Sequence, residues 1–172
     1  AVALWTRGRL HGADVEVSGF SIDTRTLKAG DLFVALPGER VDAHDFVAAA
    51  AERGAVAALV TRPVDVAIPQ VIVDDTQKAL GDLASSVRAA TRVRVVGITG
   101  SNGKTTVKTL TASILSRHGR THVNAGNFNN EIGMPLTLLA MPADTQYVVL
   151  EMGAGKPGDI DYLAAIARPD IG

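Results

Sequence analysis

Apolar and polar residues alternate in short, regular runs through the first half of this chain, and the runs predict strands. Residues 19–23 alternate as a half-buried strand does, and residues 32–36 are apolar throughout, as in a strand buried on both faces. Two further strands are predicted at residues 55–60 and 71–73. The turns between them are marked by glycine and proline, which favour breaks in regular structure.

Apolar residues at helical spacing separate these strands. A helix is predicted from Asp42 or His44, either of which could cap it, through Arg53 to a stop at Gly54. A second helix is predicted over residues 76–90, where Leu80, Leu83, Ala84 and Val87 share one face. Strands that alternate with helices indicate an α/β layer structure.

The pattern then begins again with a strand over residues 93–98. A helix follows in which four apolar residues recur at helical spacing: Val107, Leu110, Ile114 and Leu115. Strands are predicted at 121–123 and 147–151, and a helix that ends before Pro169 turns Ile160, Leu163 and Ile166 inward. Another strand starts at Asp170, so the sheet is expected to continue beyond Gly172, and a chain ending there should expose apolar surface around Val148 and Leu150. We place the domain boundary at Thr91-Arg92, which gives domains of residues 1–91 and 92–172.

The stretch between the strand at 93–98 and its helix carries the strongest chemical signal. It reads Thr99-Gly100-Ser101-Asn102-Gly103-Lys104-Thr105-Thr106. Glycines let the backbone approach phosphate groups, and N–H groups at a helix start point at the anion. In such a loop the lysine reaches the β- and γ-phosphates and the following hydroxyl binds Mg²⁺. The general pattern has a glycine where Ile98 stands, so this is a variant phosphate-binding loop.

Two other stretches are expected to meet this loop. Residues 124–135 contain four asparagines and two glycines, which suits a loop that binds a polar ligand, although turns favour the same residues for their backbone geometry. Glu151 ends an apolar strand, and ligands of open α/β sheets bind at the carboxyl ends of strands. Glu151 is therefore a candidate Mg²⁺ ligand beside Thr105, the alternative being a surface acid that begins a loop.

Composition excludes several classes of protein. The chain has 172 residues, 47% of them hydrophobic and 20% charged, with a net charge of −1, so neither nucleic acid nor an anionic membrane is an expected partner. The absence of cysteine excludes disulfides and thiolate metal sites and is compatible with a cytoplasmic setting. No apolar run approaches the roughly 20 residues that cross a bilayer, and the four histidines lack metal-ligand spacing.

The loop Thr-Gly-Ser-Asn-Gly-Lys-Thr resembles the variant loop of the Mur ligases, the ATP-dependent amide-forming enzymes of bacterial cell-wall synthesis. The N-terminal UDP-sugar-binding domain of the family members that add the third peptide residue or the final dipeptide is similar at three stretches: Asp23-Thr24-Arg25, Gly30 to Ala35 and Gly38 to Phe46. Ala125 to Pro135, Glu151-Met152-Gly153 and Pro157 to Ile160 are similar to the member that adds D-alanyl-D-alanine. The resemblance covers nearly the whole chain from about Val17 onward.

This resemblance implies a small N-terminal α/β domain for the UDP substrate and the first part of a parallel-sheet ATPase domain, with the C-terminal domain absent. It implies a cytoplasmic ligase, monomeric at full length, that joins D-alanyl-D-alanine to UDP-N-acetylmuramoyl-tripeptide through an acyl phosphate, using ATP and Mg²⁺. Lys104 and Glu151 become the candidate catalytic residues, and Thr105 and Glu151 the candidate metal ligands. The candidate nucleotide contacts are Thr99, Gly100, Ser101, Asn102, Gly103, Lys104, Thr105 and Thr106. The candidate substrate contacts are Asp23, Thr24 and Arg25 for the uridine diphosphate and Asn127, Asn129 and Asn130 for the peptide.

Other interpretations remain open on the residues alone. A phosphate-binding loop specifies triphosphate binding and not the acceptor, so a kinase or regulatory NTPase is one alternative. Within the resemblance, a ligase that adds the third peptide residue, or a folate-polyglutamate ligase, shares the fold. A UDP-sugar-binding module without turnover is the non-enzymatic alternative. Arg25 has an alternative of its own, as a partner in a surface ion pair.

Overall fold

The computed structural model describes residues 1–38, 41–126 and 128–172. These residues pack as two compact units, Ala1–Leu83 and Ala84–Gly172, here called the first and second units. The division falls inside a helix, a few residues before the boundary expected at Thr91-Arg92, because Ala84 packs into the core of the second unit. Both units combine helices with mainly parallel strands, which confirms the α/β prediction.

The first unit contains a sheet with the strand order β1-β5-β4-β3-β2. Its elements are α1 (Val2–Thr6), β1 (Arg9–His11), β2 (Gly19–Ser21), β3 (Asp31–Val34), α2 (Val47–Glu52), β4 (Ala57–Val60), β5 (Gln70–Ile72) and the first half of α3 (Thr76–Ala90). Strands β2 to β5 are parallel, and β1 adds antiparallel to β5. Phe33 and Ala58 face α2, while Leu32 and Leu59 are equally buried on the other face. Burial on both faces explains why these strands are continuously apolar.

The helix predicted to run from Asp42 or His44 to Arg53 is divided. A 3-10 turn (Ala43–Phe46) precedes α2, and the Asp42 side chain accepts a hydrogen bond from the backbone N–H of His44. Asp42 is therefore the cap, and it was one of the two predicted candidates. The helical segment α1 and the strand β1 were not predicted, since neither shows an extended apolar period.

Asp42 is the centre of a polar cluster in the first unit. Its carboxylate lies 2.6 Å from His44 Nδ1 and 2.8 Å from the Arg62 guanidinium, while the Thr61 backbone N–H donates to His44 Nε2. The His44 backbone bond, the His44 ring and Arg62 hold the pKa of Asp42 well below its ordinary value of 3.8. A lowered carboxyl pKa stabilises the fold above the ordinary value, and this contribution is lost as the pH falls through the folded value.

We therefore expect the melting temperature of the chain to fall as the pH is lowered below about 4. The variant Asp42→Asn should melt at a lower temperature at neutral pH and show a flatter dependence below that point. Thermal melts monitored by circular dichroism between neutral and strongly acidic pH measure both effects. Asp65→Asn, an exposed acid of the same unit, is the control. Parallel pH curves for Asp42→Asn and the unsubstituted chain would contradict the expectation.

The second unit contains a parallel sheet with the order β6-β8-β7. Its elements are β6 (Arg94–Ile98), α4 (Lys104–Leu115), β7 (Thr121–Val123), α5 (Gly133–Leu139), β8 (Tyr147–Glu151) and α6 (Asp159–Ala167). A strand was expected to start at Asp170, and Ile171 there forms a single parallel bridge with Val96 on the free side of β6. Val148 and Leu150 are themselves buried, in a cluster with Met134, Leu138, Leu163 and Ile166, so the apolar surface expected around them does not include these two strand residues.

Helix α5 begins inside the stretch that was interpreted as one asparagine loop. Gly133, Met134 and Pro135 form its first turn, and Met134 is fully buried. Proline is tolerated there because the first N–H groups of a helix have no partner within the helix. Glycine and proline so close together concealed the helix in the sequence.

Helix α4 presents an unexpected face to solvent. Its apolar residues Val107, Leu110 and Ile114 are 49%, 60% and 61% exposed, while Lys108 is buried. The face towards the sheet instead consists of Lys104, Lys108, Thr111, Ala112 and Leu115. The small residues Thr111 and Ala112 on this face let the helix lie close to β8. Lys104 and Lys108 reach the carboxyl edge of the sheet. Within the described ranges, none of the helices combines the length and apolar character that crossing a membrane requires.

Candidate active site

The phosphate-binding loop occupies residues 99–103, between the end of β6 and the start of α4. Gly100 and Gly103 have φ of +140° and +77°, which explains glycine at both positions. Space alone would not require glycine at position 103, because a Cβ there would meet nothing within 4 Å. No described side chain caps α4, so its first N–H groups remain available for an anion.

Lys104 and Thr105 begin α4 and point to different partners. The Lys104 ammonium folds back over the loop and donates to the Gly100 carbonyl at 2.7 Å. The Thr105 hydroxyl donates to Glu151 Oε2 at 3.0 Å. The candidate catalytic lysine thus lies over the loop, and the two candidate metal ligands are in direct contact.

Glu151 reaches the loop because its strand is parallel to β6 and pairs it with Ile98. Its side chain is only 5% exposed, so it is not the surface acid of the alternative interpretation. Asn129 Nδ2 donates to Oε1 at 3.0 Å, and the Lys108 ammonium lies 3.4 Å from Oε2. Burial raises the pKa of the Glu151 carboxyl, but the hydrogen bonds from Asn129, Thr105 and Lys108 together outweigh it and lower the pKa below the usual value.

Asn124 and Lys108 belong to this site, and neither was named as a candidate site residue, although Asn124 begins the asparagine-rich stretch. Asn124 is 1% exposed; its amide donates to the Glu151 carbonyl at 2.9 Å and its Oδ1 accepts from the Glu151 N–H at 2.9 Å. Lys108 donates to the Asn124 carbonyl at 2.9 Å. Two signals could have found them: Asn124 directly follows β7, and Lys108 lies one helical turn after Lys104 on the same face.

The asparagine loop contributes differently at each position. Asn129 contacts Glu151, whereas the Asn130 Oδ1 accepts from the backbone N–H groups of Ile132 and Gly133 at 3.2 and 2.8 Å. Asn130 therefore helps to start α5. Asn127 lies outside the described residues. An open cleft of about 510 Å³ adjoins the phosphate loop, and its lining includes Lys104, Asn129, Asn130, Gly153 to Lys156 and Asp159.

We expect Asn130→Ala to destabilise the fold by about 1 kcal/mol, because the first N–H groups of α5 lose their acceptor. If Asn130 also contacts the peptide, the KM of the full-length protein for the peptide substrate rises while the KM for ATP stays unchanged. Thermal melts and steady-state kinetics measure the two effects separately. A rise in the KM for ATP alone would contradict the peptide assignment. Asn102→Ala, in the phosphate loop, is the control, and it should raise the KM for ATP while the KM for the peptide substrate stays unchanged.

The remaining candidates are placed as follows. Thr99, Ser101, Asn102 and Thr106 are exposed along the phosphate loop and the first turn of α4. Asp23, Thr24 and Arg25 follow β2 in the first unit. The Arg25 guanidinium binds both carboxylate oxygens of Asp23, the shortest contact being 2.6 Å, and this lowers the pKa of Asp23 to about 2. Arg25 thus forms the surface ion pair of its alternative interpretation, and its role towards a substrate stays a prediction.

The side-chain oxygens of Thr105 and Glu151 are suitable ligands for a magnesium ion. Both are hard oxygen ligands, 3.0 Å apart, at the start of a phosphate-binding helix. No group of three or more histidine, cysteine or acidic residues suited to a metal occurs in the part of the chain that the structure describes. Magnesium usually needs few protein ligands, because water and substrate phosphates complete its shell. Two oxygens are therefore sufficient here.

Comparison with known proteins matches both parts of the chain to one family. A family model described as "Mur ligase family, catalytic domain" matches residues 16–88, and one described as "Mur ligase middle domain" matches residues 98–172. The UDP-N-acetylmuramoyl-tripeptide–D-alanyl-D-alanine ligase of Escherichia coli K12 is 50% identical over 163 residues, which are 95% of this chain and 36% of that protein. The chain thus spans little more than a third of the length of this relative.

Solved structures of two MurF ligases resemble this chain over most of its length. The crystal structure of MurF from Acinetobacter baumannii superposes with a TM-score of 0.92 at 41% identity, covering 98% of this chain and 38% of that one. MurF ligase from Thermotoga maritima in complex with ADP gives a TM-score of 0.82 at 35% identity, covering 92% and 37%. Residues of both units are matched by domain models of one family. The chain belongs to the Mur ligase family.

Proposed function

We propose that the protein containing this chain is an ATP-dependent, ADP-forming ligase that joins D-alanyl-D-alanine to UDP-N-acetylmuramoyl-tripeptide in peptidoglycan synthesis. The relatives at 40–50% identity are named as ligases of this substrate pair, which supports it, and the ADP in the Thermotoga maritima structure supports the nucleotide. The observation that carries the proposal is the contact of Thr105 with Glu151 beside Lys104, next to an open cleft.

The proposed reaction has two steps. The terminal carboxylate of the tripeptide attacks the γ-phosphate of ATP, which forms an acyl phosphate and releases ADP. The amine of D-alanyl-D-alanine then attacks the acyl carbon, so that an amide forms, inorganic phosphate leaves and the amine proton passes to solvent or a base. Because the protein has little covalent chemistry to perform in such a transfer, it must hold the reactants and stabilise charge.

Lys104 and the N–H groups of the phosphate loop supply that stabilisation. The ammonium lies over the loop and can follow the negative charge that builds up on the transferred phosphoryl group. Thr105 and Glu151 would hold Mg²⁺, which neutralises charge on the phosphate oxygens when it is bound. The other loop residues, Thr99 to Gly103 and Thr106, contact the nucleotide in this proposal.

The remaining substrate sites are assigned by position. Asp23, Thr24 and Arg25 of the first unit bind the uridine diphosphate, and Asn127, Asn129 and Asn130 bind the peptide end near the cleft. Residues 1–91 then form the UDP-substrate domain and residues 92–172 the first part of the ATPase domain. On this proposal the reaction takes place in the cytoplasm, and the full-length protein acts as a monomer without nucleic acid or membrane.

The proposal is tested by incubating the full-length protein with ATP, Mg²⁺, UDP-N-acetylmuramoyl-tripeptide and D-alanyl-D-alanine. We expect one ADP, one phosphate and one UDP-linked pentapeptide per turnover, identified by mass spectrometry. The matched control replaces the tripeptide by the dipeptide precursor and D-alanyl-D-alanine by a single amino acid. Product from the control pair alone would favour a ligase of the third residue, and ATP hydrolysis without any amide would favour an NTPase.

A further inference from the structure

The proposed function leaves Lys108 without a role, although its position is unusual. The residue is 6% exposed on α4, and its ammonium lies among three oxygen atoms. These are Glu151 Oε2 at 3.4 Å, the Asn124 carbonyl at 2.9 Å and the Gly126 carbonyl at 3.4 Å. Burying a charged ammonium costs free energy, and contacts with one carboxylate and two backbone carbonyls offset that cost.

The oxygen that Lys108 approaches is also the one that Thr105 contacts. Glu151 Oε2 accepts from the Thr105 hydroxyl at 3.0 Å, and these two groups form the proposed magnesium site. The opposite oxygen, Oε1, is held separately by Asn129, and the backbone of Glu151 is held by Asn124. Glu151 is therefore held by Asn129 and Asn124 in addition to its contact with Lys108.

We propose that Lys108 is a positioning residue that serves as the permanent counterion of Glu151 and weakens the binding of a divalent cation at Thr105 and Glu151. The ammonium compensates the buried carboxylate while no cation is bound, and it repels the cation when one binds. It also ties the residues that follow β7 to α4 through their carbonyls. The inference rests on the metal site of the proposed function.

The expected size of the effect follows from Coulomb's law. Charges of +1 and +2 about 5 Å apart repel enough, even at the dielectric constant of water, to change a binding constant about tenfold. Removing the positive charge should therefore tighten cation binding. A residue that served stability alone would leave the affinity unchanged at temperatures where the variant is folded.

The experiment titrates the full-length protein with Mn²⁺ alone and follows the loss of the free-ion signal by electron paramagnetic resonance. Lys108→Met and Lys108→Gln remove the charge, and the glutamine variant retains a donor if the methionine variant does not fold. Lys108→Arg retains the charge. Lys78→Met makes the same substitution at an exposed lysine of α3 and is the matched control. Glu151→Gln identifies the site, and circular dichroism verifies that each variant is folded.

We expect Lys108→Met and Lys108→Gln to bind Mn²⁺ about tenfold more tightly than the unsubstituted protein. Lys108→Arg and Lys78→Met should bind it with unchanged affinity. Unchanged or weaker binding in both neutral variants, at a site that Glu151→Gln abolishes, would overturn the inference and leave the proposed function intact. Mn²⁺ binding that Glu151→Gln does not alter would overturn the metal assignment and the inference together.

Discussion

Replacing Lys104 by alanine in the full-length protein is expected to lower the turnover of ATP by about 10²–10³-fold, the usual effect of losing one group that stabilises transition-state charge. The ammonium lies over the phosphate loop, 2.7 Å from the Gly100 carbonyl, and no other described lysine or arginine lines the cleft beside the loop except Lys156. Binding of the UDP substrate should change little, since that site is assigned to the first unit. Steady-state kinetics and calorimetric titration measure the two quantities.

The matched control is Lys78→Ala, which removes an exposed lysine from α3 and should leave both quantities unchanged. A folded Lys104→Ala variant that loses ATP turnover and UDP-substrate binding to the same extent would contradict the assignment of separate sites. Retained turnover would contradict the role of the lysine itself.

Replacing Glu151 by glutamine is expected to reduce turnover by about 10²-fold at ordinary Mg²⁺ concentrations. Glutamine has nearly the same volume and still accepts the Thr105 hydrogen bond, but it carries no charge to bind a cation. Because the carboxyl pKa is lowered, the group is ionised at neutral pH in the unsubstituted protein, so the substitution removes a full negative charge. Lys108 then lies buried without its carboxylate, and the melting temperature should fall as well.

Kinetics at increasing Mg²⁺ concentration separate the two effects. A lost metal ligand raises the Mg²⁺ concentration needed for half-maximal turnover, and excess Mg²⁺ restores part of the activity. Glu52→Gln, an exposed residue of α2, is the matched control and should behave as the unsubstituted protein. If the Mg²⁺ dependence of Glu151→Gln were unchanged, the metal assignment would be wrong.

The main features of the phosphate-binding loop, which depend on neighbouring residues in sequence, were predicted correctly. The strand, glycine turn and helix around Lys104 lie as expected, because turn chemistry and helix starts are determined within a few residues. Glu151 was located by one general rule, that parallel strands end at the same edge of a sheet, and its pairing with Ile98 confirms this.

Two features of the second unit that depend on packing were not predicted. In the sequence of α4 the apolar residues Val107, Leu110 and Ile114 recur at helical spacing. In the structure they are exposed, and the helix turns the face with Lys108 towards the sheet. On that face Lys108 contacts Glu151 and the residue that follows β7, and these partners are 43 and 16 residues away in the sequence. Helix α5 was hidden by glycine and proline, whose effect depends on whether they fall in the first turn.

The side chain of Asn124 has a consequence for the slow motions of the protein. Its amide donates to the carbonyl of Glu151 and its Oδ1 accepts from the N–H of the same residue, as a neighbouring strand would. The Glu151 amide hydrogen should therefore exchange with deuterated solvent as slowly as those inside β8, although β7 ends before it. Exchange at Glu151 then reports the opening of a side-chain bond, so the last residue of the strand signals when the polar site loosens.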